Sequence, residues 1–230
     1  MTPALIAACT GASLANATVY AAALTQAMAA CKISEKPIRV AMFLANVGVE
    51  SERLQRTTEN LNYRASALIT MFGRHRISIA DANTYGRTEA HAANQPMIAN
   101  CIYGGAWGSK NLGNDRVGDG WKFRGHGLFQ TTGRFNIAQV RDRLCLQFPA
   151  LKVPDFEANP GALSEPLWAA LSAGDYWNMR ELAGYADAGN FDAVCDLLNI
   201  GKPTEKYGDA HGFADRLALF KTGKLALKIA

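Results

Sequence analysis

Apolar residues recur along this chain at intervals of three and four, and alternating strand-like runs are nearly absent. That periodicity predicts an all-α, mainly helical protein. Thr2 and Pro3 read as an N-cap and first helical position. Ser13 caps a second helix whose Leu14, Ala17, Ala21, Leu24, Met28 and Cys31 share a face. In KPIRVAMFLANVGVE, Val40, Phe43, Leu44 and Val47 mark one stripe of a third helix that ends at Glu50. Further helices are expected over Ala65–Phe72, after a Ser78 cap, over Gln95–Tyr103, and over Arg134–Gln147 with Ile137, Val140 and Leu144 inward. Pro166–Leu182, Phe191–Leu198 and Phe213–Phe220 complete the set. No internal repeat, low-complexity tract or linker divides the chain, which reads as a single domain over residues 1–230.

One region breaks the pattern. Gly104 to Gly133 is dense in glycine and polar residues with aromatics interspersed, and it reads as a long functional loop. Trp107, Trp121 and Phe123 offer flat faces for sugar stacking, or else plug the core beneath the loop. Asp119, Arg124, Gln130 and Thr132 offer hydrogen bonds to hydroxyls. Gly125-His126-Gly127 is not set between a strand and a helix, so it carries no nucleotide-binding signal.

Two carboxylates stand nine residues apart in GVESERLQRTTENLNY. Glu50 lies on the apolar stripe, three residues after Val47. A carboxyl there loses hydration, which disfavours its charged form and suits a general acid. Glu59 follows Arg53, Gln55, Arg56, Thr57 and Thr58, and such neighbours keep a carboxylate ionised, as a general base requires. One neutral and one charged carboxyl are what glycosidic hydrolysis uses. The plainer reading is a helix end at Glu50 and a cap at Glu59. Glu52, two residues on, points away from the stripe.

Composition narrows the field. At 230 residues, 49% hydrophobic and 19% charged, the chain can bury a full core without a metal or disulfide staple. A net charge of +4 and a pI near 8.8 suit an acidic partner such as anionic cell wall. No basic run interleaved with aromatics supports nucleic-acid binding. The five cysteines, Cys9, Cys31, Cys101, Cys145 and Cys195, are scattered and odd in number, with no Cys-x-x-Cys pair. They read as reduced thiols, with Cys31, Cys145 and Cys195 near apolar faces, and no metal site is expected. The apolar N-terminus lacks a positive n-region and is interrupted at Thr10-Gly11, so it reads as helices rather than a signal peptide. No run reaches a membrane span. A soluble protein made in a cytoplasm is expected.

ENLNYRASAL, GDGWKFRGHGLFQTTGRFNI, and LLNIG followed by GFADRLALF resemble the family 19 glycoside hydrolases, most closely their phage-type endolysin branch. The resemblance spans about residues 38–220, with helices 3–31 packed on that core, and leaves no separate wall-binding domain. It implies a lysozyme-like fold with two helical lobes flanking a cleft. The general acid of the family's His-Glu-Ser/Thr motif lands on Glu50, and the general base of Glu-Asn-Leu-Asn-Tyr lands on Glu59. Gln130 matches a cleft residue, and Thr132 a hydroxyl that helps hold the attacking water. Asn136 and Asn199 match sugar contacts. Tyr63, Trp121 and Arg124 join them as substrate-binding candidates. The chain departs from the family pattern at three places: Val49 stands for the usual His, Glu52-Arg53 for two glycines, and Ile200 for the first late glycine.

The resemblance implies an inverting hydrolase, for which the carboxylates should lie roughly 6.5–9.5 Å apart. The expected substrate is the β-1,4 linkage of peptidoglycan, cut by a monomer without cofactor, nucleic acid or stable membrane insertion. A host-cytoplasmic enzyme released to the wall by a holin fits that reading. A chitinase, a non-catalytic wall-binding module and a lytic transglycosylase remain as alternatives.

Overall fold

The computed structural model describes residues 1–229. Among them are thirteen α-helices: α1 (Pro3–Thr10), α2 (Leu14–Ala30), α3 (Pro37–Glu50), α4 (Ala65–Phe72), α5 (Ile79–Tyr85), α6 (Gln95–Tyr103) and α7 (Gly105–Leu112). They continue with α8 (Asp119–Lys122), α9 (Arg134–Gln147), α10 (Pro166–Met179), α11 (Leu182–Asp187), α12 (Phe191–Asn199) and α13 (Phe213–Ala226). Extended pairing among the described residues is confined to isolated bridges. The fold is all-α and lysozyme-like in class, and the chain divides into two compact helical units. One comprises residues 1–57, 127–129 and 163–229, the other residues 58–126 and 130–162.

In the first unit α3 is the central helix. The expected stripe is present, but burial extends all round it: every residue from Val40 to Gly48 is buried, Asn46 included. α13, α1, α11 and α12 surround it. Close approach explains Gly48, because a Cβ there would sit 2.3 Å from the Thr10 carbonyl at the end of α1 and 2.9 Å from Leu219 of α13. Phe43 meets Phe129 and Trp177 edge-on at 5.8 and 5.7 Å, a favourable aromatic arrangement. Thr2 and Ser13 cap α1 and α2 as the sequence predicts. The α2 face is buried except at its start, where Leu14 is exposed. α2 packs on α10, with Gly174 admitting Cys31. No single helix among the described residues is long and apolar enough to cross a membrane; α1 and α2 together reach that length but are bent by 106°.

The second unit is built on Leu61, Leu68, Ile77, Ala82, Ile98, Ala99 and Ile102, ringed by Tyr63, Phe72, Tyr103 and Trp121. Here the expected long loop is wrong. Gly104–Gly133 contains α7 and α8, and Gly108 and Gly120 serve helix packing. A Cβ on Gly108 would lie 2.0 Å from the Tyr103 carbonyl, and one on Gly120 2.4 Å from that of Ala99. α9 buries Ile137, Val140 and Leu144 as expected. Its first amide is capped from a distance, Arg134 N–H donating to Asn114 Oδ1 at 2.9 Å.

Cys9, Cys31 and Cys195 are buried thiols outside any disulfide, whereas Cys145 is exposed, contrary to its expected apolar setting. It lies on the side of α9 away from Leu144, where the residues around it meet solvent.

Candidate active site

In the first unit Glu50 closes α3, and its surroundings differ from the sequence expectation. The apolar stripe does not end in an apolar pocket for the carboxyl. Instead Arg216 of α13, 1% exposed, donates to Glu50 Oε1. The same guanidinium donates to Asn46 Oδ1 at 2.6 Å and to the His211 carbonyl at 3.0 Å. Glu50 is therefore an ion-paired carboxylate on a braced cation. Asn199 joins this chain indirectly, its Oδ1 accepting the His211 N–H at 2.8 Å. Its exposed side chain thus holds the 200–212 segment that bends toward Arg216.

Immediately after Glu50 the backbone turns sharply. Glu52, Arg53 and Leu54 have φ of 48°, 61° and 60°, three consecutive left-handed residues with side chains. L-residues reach that region only at a cost, which is the physical reason glycines suit the first two positions. Glu52 is exposed, as expected, and pairs with Arg56.

In the second unit Glu59 is held on both oxygens. Tyr103 Oη donates to Oε1 at 2.7 Å, and the Gly125 N–H donates to Oε2 at 3.0 Å. Its own N–H donates to the Gly125 carbonyl at 2.8 Å. Each carboxylate oxygen keeps a further lone pair for a water or a hydroxyl. The cations expected beside it from the sequence are the wrong ones. Arg56 is engaged by Glu52, and Arg53 packs beside Gly11. Glu59 feels Arg76 and Arg124 instead, both of them partly buried, which lowers their pKa values from the usual guanidinium range. Arg76 lies 3.8 Å above the Trp107 ring and also faces Phe72 and Tyr103. Burial, and then the charge of Glu59, push the Tyr103 hydroxyl well above its ordinary pKa, so it stays a donor.

Gly125 sets how closely these groups approach. A Cβ there would meet Gln130 Oε1 at 2.6 Å and Glu59 Cβ at 3.2 Å. Gln130 sits at φ 50° and its carbonyl accepts from Thr132 Oγ1 at 3.1 Å. With its proton so committed, the Thr132 hydroxyl has only lone pairs to offer. Asn136 is exposed and donates to the Thr132 carbonyl at 2.8 Å. Arg124 lies 3.7 Å over Trp121 and donates to that residue's carbonyl at 2.8 Å, so one face of Trp121 is already covered by a cation. Tyr63 packs edge-on against Phe72 at 5.4 Å.

Trp107 is half-buried and carries Arg76 on its ring. Two proposed sugar contacts are overturned: Phe123 is fully buried, and Asp119 is 4% exposed and locked to Arg134 by bonds of 2.6 and 2.8 Å. A loop would have presented these side chains; helices that pack on one another enclose them. Sequence reasoning missed Arg216, Asn46, Tyr103 and Arg76. Arg216 had a visible signal, a lone arginine in the apolar run GFADRLALF. Among the described residues no group of three or more His, Cys, Asp or Glu side chains is placed to hold a metal ion.

A helical fold of lysozyme-like class, with a hydrogen-bonded carboxylate in each unit, suits a glycan-cleaving class of protein. The sequence comparison takes this to a family. The chain is 37% identical over 183 residues to a glycosyl hydrolase family 19 domain-containing protein of Haemophilus influenzae (strain ATCC 51907 / DSM 11121 / KW20 / Rd), covering 79% of this chain and 76% of the relative. The chain belongs to glycoside hydrolase family 19 and is a glycoside hydrolase. No family model matches it.

Proposed function

We propose that this glycoside hydrolase is a phage-type endolysin that cuts the β-1,4 bonds of bacterial peptidoglycan with inversion, Glu50 serving as acid and Glu59 as base. The observation that carries the reading is the double anchoring of Glu59. Tyr103 and Gly125 fix both oxygens, so the lone pairs left over have set directions. Glu59 takes one proton of a water whose oxygen attacks the anomeric carbon. Thr132, its own proton given to Gln130, accepts the water's other hydrogen. Glu50, which enters the reaction with a proton on Oε2 while Arg216 stays bonded to Oε1, gives that proton to the glycosidic oxygen as the bond to the anomeric carbon breaks. The products are a reducing-end sugar of inverted configuration and a free hydroxyl on the leaving strand.

Mass spectrometry of digested sacculi, with NMR of the first-formed anomer, tests this reading. Reducing-end muropeptides with the inverted anomer are expected. An anhydro sugar would replace it with a lytic transglycosylase, and turnover of chitin oligomers alone would make the protein a chitinase. Wall binding without any cleavage would reduce the protein to a binding module. Glu50→Gln should abolish lysis of permeabilised bacteria, since removing a general acid costs about two to four orders of magnitude.

A further inference from the structure

The second unit contains a pocket of about 470 Å³ that the catalytic scheme does not use, lined by Arg64, Ser66, Asn83, Arg87, Thr88 and Glu89. Two cations meet there because the backbone brings them side by side. Arg64 and Arg87 form a parallel bridge, Arg87 N–H donates to the Tyr63 carbonyl at 2.8 Å, and Ala65 N–H donates to the Arg87 carbonyl at 3.2 Å. Neither guanidinium has a hydrogen-bond or ion-pair partner among the described residues. Both side chains are exposed to solvent, whereas the more buried Arg39, Arg134, Arg141 and Arg216 are all paired within the protein.

Two other lining residues, Ser66 and Thr88, offer donors too. Arg64 caps α4 without a side-chain bond, so the Ser66 amide in its first turn is unclaimed, as is the Ser66 hydroxyl. Thr88 Oγ1 already accepts from the amides of Ala90 and His91, both at 3.2 Å, which turns its proton outward. Glu89 is the one negative charge on the rim, and two arginines outnumber it. Paired guanidiniums, a hydroxyl and a helix-start amide together match a carboxylate.

The pocket also has a fixed relation to the chemistry. Arg64 is five residues from Glu59 in one continuous segment of the same unit, so at most about 18 Å of chain separates them. A charged branch on a glycan strand held at Glu59 is within that range. We infer that the Arg64–Arg87 pocket binds a free carboxylate of the peptide stem carried by peptidoglycan, and so selects peptide-bearing glycan over uncharged polymers such as chitin. The inference rests on the peptidoglycan reading and gives it a recognition element.

The test uses sacculi free of teichoic acid, which removes wall phosphate as a ligand. Half are left native, and half have their carboxyls converted to neutral amides. Wild type should cleave native sacculi faster, and the advantage should shrink as salt is raised, because exposed charge pairs are screened. The double variant Arg64→Gln/Arg87→Gln should lose about fivefold in kcat/KM on native sacculi. It should match wild type on amidated ones and keep its melting temperature, since only backbone atoms of these residues bear structural bonds. Equal rates of wild type and variant on native sacculi would overturn the pocket, as would equal losses on both substrates. If wild type cleaves neither form of sacculus but does cleave chitin oligomers, the peptidoglycan reading itself fails, a result distinct from failure of the pocket alone.

Discussion

Thr132 shows how one hydroxyl can be assigned. A threonine in TTGR invites the plain reading of a helix cap for α9, but Gly133 occupies the cap and Asn114 takes the first amide. Thr132→Ala should therefore cost little stability. On the proposed mechanism it should lower kcat well beyond tenfold with KM nearly unchanged, because the second anchor of the water is lost. Thr132→Ser should restore turnover. A lowered melting temperature with normal kcat would return Thr132 to a structural role. Arg53 gives a residue-scale prediction of opposite sign. Removing the Cβ at a left-handed position relieves about 1–2 kcal/mol, and glycine costs about 0.5–1 kcal/mol in unfolded-state freedom. Arg53→Gly should thus raise stability by roughly 0.5–1 kcal/mol in denaturant titration. A loss would mean that the contact of Arg53 with Gly11 outweighs the strain.

Between elements, the decisive link is α3 to α13. Arg216 ties the end of α3 to the start of α13 through Glu50, Asn46 and the His211 carbonyl. Removing one partner of such a network strands the others. Arg216→Met should cost about 3 kcal/mol, toward the low end for a broken buried pair because Glu50 is 22% exposed. It should also slow hydrolysis, since Glu50 loses its brace. Glu50→Gln keeps an acceptor for Arg216 and should cost less stability than Arg216→Met, although it removes the proposed proton donor. Equal melting temperatures for wild type and Arg216→Met would contradict the network. Element boundaries were legible where local signals are strong: α4, α6 and α9 start and stop where the apolar period does. α10 ends at Met179, short of Leu182, because Glu181 turns at φ 53°. α13 runs on to Ala226 past a polar, lysine-bearing end that gives no apolar signal.

For the molecule as a whole, two titrations report on the packing. His126 is 3% exposed, and burial, with Arg124 nearby, brings its pKa from 6.5 down to about 4. Between those values the unfolded chain binds a proton that the folded chain does not. This contribution is therefore complete above pH 6.5 and lost as pH falls toward 4, amounting to about 3 kcal/mol. Denaturation midpoints of His126→Gln should show a shallower decline over that window than wild type; parallel curves would refute the assignment. The thiols give the second report. Burial pushes Cys9 up to about 11 and Cys195 up to about 12. A thiol reagent at neutral pH should label exposed Cys145 in the native protein and reach Cys9 and Cys195 only after unfolding. Reductant should change neither activity nor melting temperature.

The sequence by itself determined the helical class and most helix positions, and it singled out the two candidate carboxylates. Those properties are written in local periodicity, capping residues and short motifs, which neighbouring residues decide. What surrounds the carboxylates was decided only by the tertiary structure. Arg216 lies 166 residues from Glu50, and Tyr103 lies 44 from Glu59, and no local pattern encodes either meeting. The glycine-rich stretch shows the same limit from the other side. Its composition resembles a loop, but Gly108 and Gly120 are needed because a neighbouring backbone carbonyl leaves no room for a Cβ. That requirement exists only once the helices pack.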